Sequence, residues 1–153
     1  MVDIRLRRAG AADVPAIVRV VNGAFAPYVA RMGKRPAPMD ADYYAAVDSK
    51  RVWVLDDGDI AGVLVTEAHE DHLLLDTVAV HPDARGSGYG ALLVTRAEDD
   101  ARELGLDEVR LYTNEAMTEN QTYYPRLGYV ETARGRADGY DRVYYRKAIE
   151  LTG

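Results

Sequence analysis

Val78–Gly90, VAVHPDARGSGYG, is the stretch whose reading decides the fold. Upstream of and into it, Leu73, Leu74 and Leu75, then Val78 and Val80, form an apolar run that predicts a strand buried on both faces. His81-Pro82 ends that strand, because proline has no N–H for a ladder and pushes the residue before it into extended backbone. Arg85, Gly86, Gly88 and Gly90 follow, and Leu93, Ala97, Ala101 and Leu104 then recur at helical spacing. Strand, glycine-rich turn and helix start is the order that builds an anion site. Backbone N–H groups converge there, the helix dipole favours negative charge, and glycine allows close approach to a phosphate.

Three anion cradles compete for this stretch. A P-loop needs GxxxxGK[ST], and no Lys-Ser/Thr pair closes the run. A dinucleotide fingerprint is met formally by Gly86, Gly88 and Ala91, but Pro82-Asp83-Ala84-Arg85 separates those glycines from the strand they should follow at once. The third pattern, [Q/R]xxGx[G/A], is met by Arg85, Gly88 and Gly90 after V-x-V-H-P. It resembles the acetyl-CoA pyrophosphate loop of the GNAT superfamily of N-acetyltransferases. A second segment, Asn120-x-x-Tyr123-Tyr124-x-x-Leu127-Gly128-Tyr129, is similar to that superfamily's Y-x-x-L-G-[FY]. With the element order around them, the two motifs cover nearly the whole chain.

The resemblance implies an α/β (α+β) GNAT fold: a mixed, largely antiparallel sheet of six to seven strands, flanked by about four helices and splayed between its fourth and fifth strands. It implies one GNAT domain over residues 1–153. It also implies transfer of acetyl from acetyl-CoA to a primary amine of a small molecule or peptide, by direct attack on the thioester in a ternary complex. Carried over by position, Val78, Ala79 and Val80 would offer backbone groups to the pantetheine arm. Arg85, Gly86, Ser87, Gly88, Tyr89 and Gly90 would hold the pyrophosphate. Tyr124 matches the tyrosine that protonates the departing thiolate, and Asn120, four residues earlier on the same helix face, would reach the cofactor. Two positions depart from the family. Met117 stands where an asparagine is common, and Leu74 stands where some members place a glutamate.

The chemistry sets its own requirements. A neutral amine attacking a thioester makes an oxyanion that needs a donor, then expels a thiolate that needs a proton. A backbone N–H near Val78 and the Tyr124 hydroxyl fit those two needs. For the amine's own proton, Asp76 has the strand parity of Val78 and Val80, and Glu67 and His72 are further candidates. A non-catalytic acyl-CoA-binding sensor or interaction module on the same fold is the rival reading.

Composition sets the outer limits. A chain of 153 residues buries roughly 68–70% of its unfolded surface as one domain. No stretch approaches 18 apolar residues and MVDIRLRRAG has no apolar signal core, so a cytoplasmic protein with no membrane partner is expected. With no cysteine, disulfides, thiolate metal sites and a cysteine nucleophile are excluded. A net charge of −6 disfavours nucleic acid as a partner and suits a cationic amine. The run His69-Glu70-Asp71-His72 lacks HExxH spacing and reads as a solvated turn, so no metal is expected.

The remaining elements read in order. Ile4–Arg8 alternates as a strand, and Asp13 caps a helix whose buried stripe is Val14, Ile17, Val18, Val21 and Phe25. Residues 26–39, with three prolines, a glycine and a basic run, read as a binding loop. With a short helix over Asp40–Val47 it borders the acceptor site through Tyr28, Arg31 and Tyr43. Arg51–Asp56 and Ile60–Ala68 flank the hairpin signal Asp57-Gly58. Val109 to Thr113 alternates as a strand, and Thr118 with Gln121 forms a capping box ahead of a helix holding Pro125. Val130–Arg134 and Tyr140–Ile149 are the last strands, joined by a loop over Gly135–Gly139. An edge strand over Tyr140–Lys147 would offer a homodimer contact.

Overall fold

The strand at the centre of the chain, Leu73–Val80, alternates strictly between sealed and half-open positions. Leu73, Leu75, Thr77 and Ala79 are buried, whereas Leu74, Asp76, Val78 and Val80 keep partial exposure. The expectation of burial on both faces is therefore corrected. Period-two geometry sends odd and even residues to opposite faces, and the apolar even residues line a surface that the described chain covers only in part.

The computed structural model describes residues 3–151. Its strands are β1 (Arg5–Arg8), β2 (Val52–Asp56), β3 (Ile60–Ala68), β4 (Leu73–Val80), β5 (Glu108–Asn114), β6 (Val130–Ala137) and β7 (Tyr140–Ala148). Its helices are α1 (Val14–Met32), α2 (Tyr43–Asp48), α3 (Tyr89–Glu103) and α4 (Asn120–Arg126). The strands form one sheet in the order β1-β2-β3-β4-β5-β7-β6. The β1–β2, β2–β3, β5–β7 and β6–β7 pairs are antiparallel, and β4–β5 is parallel. Among the described residues the β4–β5 ladder holds two register pairs, Leu73 with Val109 and Leu74 with Arg110, so these two strands part early, as the splayed sheet requires.

By its contacts the chain forms two compact units, Met1–Thr66 with Thr77–Arg96, and Glu67–Asp76 with Ala97–Gly153. In the first, Val14, Ile17, Val20 and Val21 of α1 pack with Val52 and Val54 of β2, Val63 and Val65 of β3, and Tyr43 of α2. Val20 replaces the expected Val18, which is exposed. At about 100° per residue the buried stripe is centred on Ile17 and Val21, and Val18 falls beyond its shoulder. The expected loop after Phe25 is instead helix as far as Met32, with Pro27 inside it. Proline forfeits one donor, the bond its N–H would make to Gly23, and Pro27 lies on the exposed side where that loss is smallest. The true stop is Gly33, at φ 71°, whose N–H bonds Val29 O at 3.0 Å.

Asp13 does not cap α1 with its side chain. Its carboxylate accepts from Gly10 N at 2.8 Å and from Arg7 at 2.8 and 3.0 Å, and Arg7 also donates to Asp56 at 3.1 and 3.2 Å. One guanidinium thus joins β1 to the end of β2 and to the start of α1.

In the second unit β5, β7 and β6 bury one face through Val109, Leu111, Thr113, Val143 and Tyr145. The opposite face carries Arg110, Tyr112, Asn114, Arg142, Tyr144 and Arg146, in register as Arg110–Arg146, Tyr112–Tyr144 and Asn114–Arg142. Two expectations are corrected here. The β6–β7 connection is not a five-residue loop. β6 runs to Ala137, and Asp138 and Gly139, at φ 54° and 81°, make a two-residue turn of the primed kind that Asp-Gly favours. Nor is β7 an edge, because it pairs with β5 on one side and β6 on the other, which leaves β6 outermost and the Tyr140–Lys147 contact already used.

The Arg7 cluster gives a stability prediction. Arg7 holds the Asp13 carboxyl below its ordinary range, and the Gly58 N–H followed by Arg7 does the same for Asp56. Stability from depressed carboxylates is present above their unfolded value, near pH ~4, and is lost as pH falls through the folded ones. Arg7→Met should cost roughly 1–3 kcal/mol in urea unfolding at pH 7, and the gap to wild type should narrow below about pH 4.

Candidate active site

Where β4 ends, His81 N bonds Ala61 O of β3 at 2.8 Å, and His81 Nδ1 accepts from Asp83 N at 3.1 Å. Pro82–Ala84 then makes a single 3₁₀ turn, and Ser87 donates its hydroxyl to Ala84 O. Gly23 of α1 lets this turn come close, since a Cβ there would sit 3.1 Å from Pro82 Cδ. The chain next enters α3 through Gly86 and Gly88, at φ 81° and 83°, the left-handed region that a side chain makes costly. A Cβ on either glycine would meet nothing within 4 Å, so the space beside both is open. Among the described residues no acceptor is recorded for the N–H groups of residues 86–91, and Arg85 is exposed with no recorded ion pair. The result is a run of unclaimed donors with open space beside Gly86 and Gly88, next to one uncommitted guanidinium. Backbone donors at a helix start suit an anion.

The expected cofactor residues fall as follows. Val78 and Val80 lie on the half-open face of β4, whereas the Ala79 side chain is 2% exposed in the core, leaving its backbone to interact. Tyr89 turns its hydroxyl to Asp57 Oδ2 at 3.4 Å, across to the β2–β3 turn. In the second unit, Asn120 donates to Thr113 Oγ1 at 2.9 Å, tethering the first turn of α4 to β5. The expected capping box does not form. Thr118 bonds the Glu119 carboxylate and Gln121 reaches Glu115 O at 2.8 Å, because helix dihedrals already begin at Glu119.

Tyr124 is 8% exposed and packs edge-on to Tyr123 at 5.3 Å and Tyr129 at 5.9 Å, and tilted to Tyr145 at 6.2 Å. A buried polar cluster fixes the turn behind it. Tyr129 donates to Glu98 at 3.0 Å, and Lys147 donates to both Glu98 oxygens at 3.1 and 3.2 Å and to Leu127 O at 2.8 Å. Burial, then the Glu98 carboxylate, pushes the Tyr129 phenol well above its ordinary range. Gly128, at φ 94°, ends the helix against the Lys147 side chain, as its C-cap position in L-G-Y predicts.

The candidate bases separate. Asp76 is half-buried on β4 and acts electrostatically on the Tyr112 phenol, which burial above all pushes upward. Glu67 lies 3.2 Å from His69 Nε2, and His72 Nδ1 lies 2.7 Å from Asp71, with the two imidazoles stacked at 4.6 Å. Glu67, near the end of β3, and His72, just before β4, thus pair with residues of the β3–β4 turn. At the expected acceptor border, Tyr28 carries the Arg31 guanidinium over its ring at 5.0 Å. Tyr43 is 4% exposed and donates its hydroxyl to Pro38 O at 2.6 Å, so it fastens the turn before α2. Sequence reasoning passed over Arg142, which stacks on Tyr112. The signal was there in the alternation of β7, which sets Arg142, Tyr144 and Arg146 on one face and Val143 and Tyr145 on the other.

The model of the acetyltransferase (GNAT) family matches residues 20–129, and the chain belongs to that family. The fold is that of the Escherichia coli ribosomal-protein-S18-alanine N-acetyltransferase, with a TM-score of 0.77 at 21% identity over 99% of this chain and 97% of that one. The PaiA N-acetyltransferase of Thermoplasma acidophilum, solved with coenzyme A, gives 0.78 at 15% identity over 95% and 99%. YncA of Salmonella typhimurium, solved with its cofactor acetyl-CoA, gives 0.72 at 18% identity over 99% and 96%. No curated protein matches the chain at a significant level.

The cluster behind Tyr124 is testable apart from catalysis. Lys147→Met strands the Glu98 carboxylate, which is buried, and should cost roughly 3–5 kcal/mol in denaturant unfolding. The double variant Glu98→Leu/Lys147→Met should recover a good part of that loss, because it removes the uncompensated charge.

Proposed function

We propose that residues 1–153 act as one acetyltransferase domain in the cytoplasm, moving acetyl from acetyl-CoA to a primary amine of a small molecule or peptide. The observation that carries this reading is the cradle at Arg85–Gly90, with its donors unclaimed and the space beside Gly86 and Gly88 open. Acetyl-CoA, when bound, supplies the activated thioester. This chain's residues bind and orient it, with Arg85 to Gly90 on the pyrophosphate and the backbone of Val78 to Val80 along the pantetheine arm. The amine nitrogen bonds to the acetyl carbon and the carbon–sulfur bond breaks. Tyr124 gives its hydroxyl proton to the departing sulfur, and Asp76, directly or through water, takes the proton from the amine. Glu67 is the second candidate for that base. Asn120 braces α4 through Thr113, and Tyr28 and Arg31, with Tyr43 behind them, border the acceptor.

Two variants test the reading. Gly88→Val places a branched side chain at positive φ and in the open space beside the donors, and calorimetry should show CoA affinity falling at least about tenfold. Unchanged affinity would remove the cradle from the proposal. Tyr124→Phe keeps the ring and should lower kcat by roughly 10²-fold at saturating acetyl-CoA, with CoA affinity little changed. Tight CoA binding with no thiol released to any amine would favour the non-catalytic module instead.

A further inference from the structure

The uncovered face of β5 and β7 carries three arginines, and two of them are spoken for. Arg146 Nε donates to Glu108 at 2.6 Å, while Arg110 pairs with the other Glu108 oxygen and lies 3.5 Å from Asp71. Arg142 differs. Its side chain is 12% exposed, with the guanidinium 4.1 Å over the Tyr112 ring and 5.8 Å from the Tyr140 ring. Its one recorded carboxylate contact is to Asp138, 3.2 Å away in the β6–β7 turn and 81% exposed. An exposed pair of this kind contributes little, and it occupies a single donor of a five-donor fork. Among the described residues its other donors make no hydrogen bond, and the side chain keeps part of its exposure. Asp76 lies on β4, across β5 from Arg142, two residues beyond the Leu74–Arg110 pair and so on the face of Tyr112. A cation and a carboxylate thus flank one tyrosine ring on one open face.

We propose that Arg142 anchors the carboxylate of the acetyl acceptor, which makes the acceptor an amine that also bears a carboxylate, of the α-amino-acid class, with its amine directed to Asp76. This rests on the acetyltransferase reading above and narrows its substrate. A planar fork stacked on an aromatic ring is pre-oriented for a planar carboxylate, and ring stacking removes the rotamer freedom that a lysine would have to lose. A phosphate dianion would call for a second free cation, and Arg110 and Arg146 are committed to acidic partners.

The test compares matched acceptors: α-amino acids, their carboxamides and the corresponding decarboxylated amines, at saturating acetyl-CoA, for wild type, Arg142→Met and Arg142→Lys. Wild type should favour the acids over the amides by at least about tenfold in kcat/KM. In Arg142→Met that ratio should collapse toward one, mainly through a KM for the acids raised roughly 10–100-fold. Arg142→Lys should fall between them. A purely structural arginine would lower acids and amides alike, so an unchanged ratio in Arg142→Met, or a wild type indifferent to the carboxylate, overturns the proposal. Calorimetry with N-acetyl-amino acids against N-acetyl-amino-acid amides, in the presence of CoA, reads the anchor without turnover. Preference for the acids in wild type that is lost in Arg142→Met supports it even if no acetyl transfer is found. Failure to bind either probe overturns it, whereas loss of CoA binding and of thiol release alone sinks the acetyltransferase reading. Should Arg142→Met fail to fold by thermal unfolding, Arg142→Lys carries the comparison.

Discussion

The pleat of β4 is the constraint from which the rest follows. A strand can seal only one face per set of alternate residues, and β4 spends Leu73, Leu75, Thr77 and Ala79 on that seal. Leu74, Asp76, Val78 and Val80 then have to look the other way, half-open. The ladder to β5 ends after Leu73 and Leu74, so the backbone beyond is not consumed by that neighbour. Parallel strands so briefly joined are unusual, because an unpaired buried backbone costs free energy unless something pairs with it. In the function proposed above that partner is the arm of acetyl-CoA, and the apolar even residues suit one.

Much of this was legible in the sequence because local rules and the global fold agree. His81-Pro82 ended β4, Gly86 and Gly88 adopt the positive φ that only glycine takes easily, and Gly128 stopped α4. The misreadings came where a local signal met a tertiary one. Pro27 looked like a breaker, yet one missing hydrogen bond on an exposed side does not outweigh a helix whose other face is packed. Asp13 looked like a cap, but a guanidinium is a stronger partner for a carboxylate than a backbone N–H, and Arg7 took it. Thr118 and Gln121 had capping-box spacing, but a box works only if the first residue is non-helical, and the chain already turns at Glu119.

The candidate site divides the same way. Its backbone part is a matter of glycine placement, which sequence shows directly. Its side-chain part depends on register, which sequence shows only where a turn pins it. The five residues Gly135–Gly139 read as a loop hid an Asp138-Gly139 primed turn, and with it the β6–β7 register that sets Ala137 opposite Tyr140 and Gly135 opposite Arg142. A slip of one residue would have carried Arg142 to the sealed face with Leu111 and Thr113, where its charge could not stay. The register of β7 therefore decides whether Arg142 joins Arg110 on that face.

The two departures from the family can be weighed by the same geometry. Leu74 stands where some members place a glutamate, and Asp76 lies two residues on, about 6.6 Å along a strand of ~3.3 Å rise per residue. Two residues is one full pleat, so the carboxylate proposed as base moves along the strand without leaving its face. The other departure, Met117, is buried at 5% and accepts from Thr113 Oγ1 at 3.4 Å, while Asn120 donates to that same hydroxyl at 2.9 Å. A methionine cannot make an amide's hydrogen bonds, but its soft side chain fills the gap under α4. Asn120 supplies an amide three residues on, and it braces the helix that carries Tyr124. What the proposed acid requires of this region is a fixed orientation, and the Thr113 hydroxyl, held by α4 from above and by β5 beneath, supplies it from a residue whose own place in the sheet is set by its pairing with Val143.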